Sequence, residues 1–119
     1  MGAVLVIGGG PAGSSFATRM AQLGAAVTLV ERARFPRPRL GESLSPGVRA
    51  LLAATGAWAR VEAEGFPPAR DVHVQWEGDA RIIRSAGAQE GLIVDRGRFD
   101  QLLLEHARRE GVRVLQPGT

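Results

Sequence analysis

Val4-Leu5-Val6-Ile7-Gly8-Gly9-Gly10-Pro11-Ala12-Gly13 decides the reading of this chain: a short apolar run passes directly into glycines spaced G-x-G-x-x-G. The residues that follow, Ser14 to Leu23, have helical periodicity. A strand, a tight glycine turn and a helix in that order predict a dinucleotide-phosphate site. Gly8 is expected to permit the sharp turn, Gly10 to let backbone approach a pyrophosphate, and Gly13 to let the helix pack close to the strand. The helix start, from Pro11 and Ala12 to Ser14, offers phosphates unpaired N–H groups, a partial positive charge and the hydroxyls of Ser14 and Ser15.

The stretch beyond the helix strengthens that reading. Gly24 is a plausible helix stop, and Ala26-Val27-Thr28-Leu29-Val30 reads as a second buried strand that ends in Glu31. Glu31 falls close to the roughly 20-residue spacing of a ribose-binding acid. A carboxylate there accepts hydrogen bonds from both ribose hydroxyls and repels a 2′-phosphate. The alternative is a solvated acid at a strand end.

Composition sets limits. The 119 residues suffice for one small domain, and 45% of them are hydrophobic, which excludes a disordered polymer. No apolar run approaches the ~20 residues of a membrane helix. The N-terminus lacks the basic stretch of a signal peptide, and a cytoplasmic location is expected. Absence of cysteine excludes disulfides, thiolate nucleophiles and cysteine metal sites. The net charge of +3 comes from arginines interleaved with acids, which is a solvated surface and not a nucleic-acid footprint. His73 and His106 lack metal-ligand spacing, and Ser14 and Ser15 have no triad context.

Farther along, Phe35-Pro36-Arg37-Pro38 predicts an extended loop. Ser45 and Pro46 suggest an N-cap and first helical residue, with a helix to about Thr55 that turns Val48, Leu51 and Leu52 inward. Residues 57–70 read as a short helical turn and a loop. Val72 to Trp76 and Arg81 to Arg84 predict a hairpin around Glu77-Gly78-Asp79, and Leu92 to Val94 a further short strand. A helix from about Phe99 to Glu110 precedes a last strand, Val112 to Leu115. That strand is expected to pair in parallel beside Val27 to Val30, with the hairpin outside the sheet.

Three motifs together resemble the N-terminal part of FAD-dependent monooxygenases of the glutathione-reductase structural type. This superfamily includes p-hydroxybenzoate-hydroxylase-like enzymes, flavin-dependent halogenases and geranylgeranyl-reductase-like enzymes. The motifs are Gly8 to Gly13 with Glu31-Arg32; Phe35-Pro36-Arg37 followed by Leu40-Gly41-Glu42-Ser43-Leu44-Ser45-Pro46; and Asp95-Arg96-Gly97-Arg98-Phe99-Asp100-Gln101-Leu102-Leu103 with Gly111-Val112. The second is the most specific and is similar to the halogenase and hydroxylase branch. The reductases more often carry a cysteine- and glycine-rich version.

The resemblance implies an α/β chain: a partial, Rossmann-like, three-layer FAD-binding fold with an inserted antiparallel β-hairpin. Residues 1–70 and 95–119 would form the FAD-binding portion, and 71–94 the start of a substrate-side β layer. Gly41, Glu42, Ser43 and Leu44 would lie along the flavin as a strap, Arg96 would meet the FAD phosphates or ribitol, and Arg32 would edge the adenine. The alternatives are a plain loop with Glu42 solvated, and Arg96 or Arg98 paired with Asp95 or Asp100 at the surface. Members of the superfamily run to several hundred residues, with a later glycine-aspartate flavin motif, so this sequence is expected to be their N-terminal part. The flavin does the chemistry, and no catalytic acid or base is expected here. Electrons would come from NAD(P)H or from a flavin reductase partner supplying reduced flavin. The substrate would be a small aromatic or other organic molecule, free or carrier- or peptide-bound. The competing readings are a geranylgeranyl-reductase-like flavin reductase and a truncated nucleotide-binding module without activity.

Overall fold

Strands β1 (Ala3–Ile7) and β2 (Ala26–Val30) run parallel, with Ala3 opposite Ala26 and Ile7 opposite Val30. Helix α1 (Pro11–Gln22) makes the crossover between them. The computed structural model describes residues 2–38, 41–69, 71–76, 78–84 and 91–117. Leu40 of the second motif, Glu77 of the expected turn and the side chains of His73 and Trp76 lie outside the described residues.

The last strand, β8 (Arg113–Leu115), joins the far side of β2 in parallel, Thr28 opposite Arg113 and Val30 opposite Leu115. Helix α4 (Arg96–Arg109) leads into it. The sheet order is therefore β1-β2-β8, as the sequence predicts. Helices α1 and α4 cover one face. There Val6, Val27 and Leu29 meet Ala17, Leu104 and Ala107 in a buried core. The pleat sends alternate residues of β1 the other way, and Leu5 and Ile7 are exposed.

A second sheet holds β3 (Gly41–Leu44), β7 (Gly91–Asp95) and β4 (Pro68–Ala69), in the order β3-β7-β4 and antiparallel. Here the structure corrects a boundary. Residues 41–44, expected within a loop, form a strand that aligns Gly41 with Asp95 and Leu44 with Leu92. Its exposed residues alternate with nothing, so only a distant partner reveals it. The expected short strand at Leu92 to Val94 pairs with β3 and β4, apart from the hairpin. The hairpin, β5 (Asp71–Trp76) and β6 (Asp79–Arg84), forms its own two-stranded sheet.

Helices α2 (Val48–Ala54) and α3 (Trp58–Glu64) close a second core, in which Leu52 and Val61 meet Val94, Phe99 and Leu103. Two helix starts differ from expectation. α2 begins at Val48, not Pro46, because Ser45 and Pro46 belong to a preceding turn in which the Val48 N–H donates to the Ser45 carbonyl at 3.1 Å. Leu52 is buried, whereas Leu51, expected inward, is 74% exposed. α4 begins three residues before Phe99, because Asp95 caps it by accepting from the N–H groups of Gly97 (2.9 Å) and Arg98 (3.4 Å).

Candidate functional site

The C-terminal ends of β1 and β2 converge on the glycine turn, which is where open α/β sheets bind ligands. Gly8 ends β1 at φ +102°, a left-handed conformation that favours glycine, and its N–H donates to Val30 at 2.8 Å. A Cβ on Gly13 would collide with the carbonyl oxygen of Gly8. The protein's own packing therefore requires glycine at that position. Gly10 is different. Its backbone is ordinary (φ −69°, ψ −178°), and the nearest atom to a Cβ placed there is Arg37 Nη2, 3.9 Å away. Among the described residues nothing demands a glycine at 10, and the space above it opens to a cleft.

That cleft, about 640 Å³, is lined by Leu5, Ile7, Gly8, Gly10, Val30, Glu31, Arg32 and Arg37. Ser14 is fully buried, and its hydroxyl donates inward to the Gly9 carbonyl at 3.1 Å, bracing the turn from beneath. Pro11, Ala12 and Ser15 instead border a second, apolar groove of about 360 Å³, with Glu42, Leu44, Val48, Leu51, Leu52, Phe99 and Leu103. Gly41, Glu42 and Ser43 are exposed along β3, and Leu44 is half-buried.

Glu31 is only 3% exposed. Oε1 accepts from the Gly9 N–H at 2.9 Å, Oε2 from the Ala33 N–H at 2.7 Å, and Arg37 Nη1 lies 3.3 and 3.4 Å from the two oxygens. Burial pushes the carboxyl pKa up. The Ala33 and Gly9 amides, with the charges of Arg37 and Arg32, outweigh this and hold it below the ordinary value. Glu31 is thus a fixed, charged acceptor at the cleft wall. Arg37 Nη1 is shared between the two oxygens at the longer distances, so a ligand hydroxyl that reaches Glu31 takes the place of that contact.

From Glu31 the charges continue. Arg37 Nη2 is 3.6 Å from Asp100 Oδ2. Asp100 is completely buried, and Arg96 donates to it with Nε at 2.9 Å and Nη2 at 3.3 Å. Arg96 Nη1 reaches Glu42 on β3 at 3.1 Å. The hydrogen bond to Asp100 raises the pKa of Arg96 further, so it stays charged. Among the described residues, Arg37 Nε is buried without a partner.

The structure thus brings Gly8 to Gly13, Glu31, Arg32, Arg96 and Glu42 into one neighbourhood. Arg96 takes Asp100 as its partner, one of the alternatives open from the sequence, but deep inside the protein and not at the surface. Arg98 stays apart, bonded to Glu64 at 2.7 Å. Arg37 and Asp100 were missed as site residues. The four-residue spacing of Arg96 and Asp100 on one helix was the available signal for the second. Arg37 gave none beyond its place beside Pro36. His106 is structural: Arg60 Nε donates to its Nδ1 at 2.9 Å, so Nε2 carries the hydrogen given to the Thr55 carbonyl at 2.7 Å.

Comparison with known proteins gives the family and the fold. Residues 1–117 match the FAD binding domain. The chain is 41% identical over 115 residues to a tryptophan 2-halogenase of Chondromyces crocatus, covering 95% of this chain and 22% of that protein. It is 33% identical over 138 residues to the 1H-pyrrole-2-carbonyl-(peptidyl-carrier protein) chlorinase of Pseudomonas fluorescens, covering 95% of this chain and 30% of the relative. The fold superimposes on the myxobacterial chondrochloren halogenase CndH with a TM-score of 0.84 at 35% identity, covering 95% of this chain and 28% of that one. The chain spans about a quarter of the length of these relatives. They give no support to the geranylgeranyl-reductase-like alternative. Among the described residues, no helix is long and apolar enough to cross a membrane.

Proposed function

The chain belongs to the FAD-binding domain family, and from that premise we propose that it is the FAD-binding N-terminal part of a flavin-dependent halogenase. The observation that carries the FAD reading is the space above Gly10, at a position where no described residue needs a glycine; the halogenase assignment is supported by the relatives. A dinucleotide explains it: the pyrophosphate occupies the space over Gly8 to Gly13, beside the positive start of α1. Glu31 then accepts from the adenosine ribose, and Arg32 edges the adenine. Gly41, Glu42, Ser43 and Leu44 lie along the flavin, with Arg96 near the phosphates or ribitol. The hairpin begins the substrate-side layer.

Bound FAD supplies the redox and oxygen-transfer chemistry. The residues described here bind it, keep its ribose end dry and hold their own charges fixed. The electron source is NAD(P)H or a flavin reductase partner that supplies reduced flavin. The substrate is a small aromatic molecule, free or carrier-bound, in keeping with relatives named for tryptophan and for a carrier-bound pyrrole. We assign the enzyme to the cytoplasm, a compartment that suits a chain without cysteine.

The test is Gly10→Val in the full-length protein. The variant is expected to fold, because a Cβ there meets nothing nearer than 3.9 Å, and to purify without flavin. A folded variant that retains stoichiometric flavin overturns the assignment.

A further inference from the structure

Five charged side chains form one connected path across the site: Glu31, Arg37, Asp100, Arg96 and Glu42, alternating in sign. The path starts at the wall of the cleft beneath the glycine turn and ends on β3, a strand in a different sheet. Its centre is a carboxylate with no exposure to water. An ion in that position interacts strongly with its neighbours, because solvent does not screen it.

The two guanidinium groups do not hold Asp100 equally. Arg96 grips Oδ1 at 2.9 Å, and both arginines approach Oδ2, Arg96 at 3.3 Å and Arg37 at 3.6 Å. Arg37 is the looser partner and sits nearest the space above Gly10. Its backbone rests on the start of α4: a Cβ on Gly97 would lie 2.5 Å from the Arg37 carbonyl oxygen. Its main chain is therefore fixed while its guanidinium is shared among anions.

We propose that Asp100 couples occupancy of the adenosine end of the cleft to the order of strand β3. This rests on the dinucleotide reading of the cleft. Diphosphate oxygens above Gly10 compete for Arg37 and draw its Nη2 from Asp100 Oδ2. The freed oxygen closes on Arg96, whose guanidinium becomes a tight two-point partner of Asp100. Arg96 held in this way presents Nη1 to Glu42 in a fixed direction and steadies Gly41 to Leu44. Asp100 is a positioning residue in this scheme. It touches no ligand and acts through the two arginines.

The experiment is hydrogen exchange on the full-length protein stripped of flavin, with and without ADP. ADP carries the ribose and diphosphate but has no flavin to touch β3 directly. In the native protein ADP should slow exchange across residues 41–44 by about fivefold or more, the lower range of ordinary coupling between sites. In Asp100→Asn, and in Glu42→Gln at the far end of the path, ADP should still bind while the slowing falls below about twofold. If Asp100→Asn does not fold, Glu42→Gln decides alone, since Glu42 is half exposed. ADP binding without any response at 41–44 in the native protein, or an undiminished response in the variants, overturns the coupling and leaves the dinucleotide reading standing. Failure of the native protein to bind ADP overturns both.

Discussion

The two sheets that meet at this site are assembled by different rules. In the parallel sheet, β1 and β2 are apolar runs joined by a single helix, and their side chains meet α1 and α4 in one core. In the antiparallel sheet, β3 and β7 lie far apart in the chain, and β3 is mostly exposed. The β1–β2 half of the first sheet is a product of local sequence and burial, and α4 then delivers β8 to its open side. The second exists because distant backbones find each other, with α2, α3 and α4 packing behind β7. With β3 mostly exposed, the antiparallel sheet is expected to open more readily than the parallel one, as the proposed coupling requires.

Two glycine substitutions test that contrast: Gly13 in α1, packed on the parallel sheet, and Gly91 in β7 each lie against a carbonyl oxygen. Gly13→Val drives a side chain into the Gly8 carbonyl, where backbone on both sides resists movement. A loss of about 3 kcal/mol or more is expected in denaturant unfolding, with loss of bound flavin. Gly91→Ala sets a methyl group against the Leu44 carbonyl on β3. It should cost about 1–3 kcal/mol, and hydrogen exchange should accelerate in β3 and β7 but not in β1 and β2. Equal acceleration in all four strands would show that the two sheets open as one unit.

A smaller effect sharpens the description of the parallel side. The folded-state pKa of Glu31 is below its ordinary 4.5. Its contribution is therefore full above the unfolded value and disappears as the pH falls through the folded value. Glu31→Gln should lower stability by roughly 1.5–3 kcal/mol at neutral pH, the range for hydrogen bonds to a charged group. Below the folded pKa of Glu31 the native protein should lose most of this advantage. Denaturation over a pH series descending from neutral measures both, and a gap between the two proteins that stays constant until the native protein itself unfolds in acid would refute the assignment.

Legibility followed the same division. The order strand, glycine turn, helix, strand, acid was readable because each piece is signalled within a few residues. Parallel pairing of β8 followed from the helix before it. The pairing of Gly41 to Leu44 with Gly91 to Asp95 was hidden, because register between distant segments leaves no mark in either one. The same holds for the site. Gly8, Gly13 and Glu31 could be placed by spacing, whereas Arg37 takes its importance from Asp100, a residue reached only after the chain has gone through α2, α3 and the hairpin. Asp95 as a helix cap was readable from its position before α4, yet the weak apolar pattern of Arg96 to Arg98 hid the helix start.

The contrast between Gly10 and Gly13 also bears on descent. One glycine is held in place by a neighbouring carbonyl; the other, on the proposed reading of the cleft, is held only by a molecule that passes over it. A lineage that kept this fold but gave up its ligand would still select glycine at 13 and would let 10 drift. On that reading, the residue at position 10 in a collection of descendants is a record of which of them still bind, readable without purifying any of them.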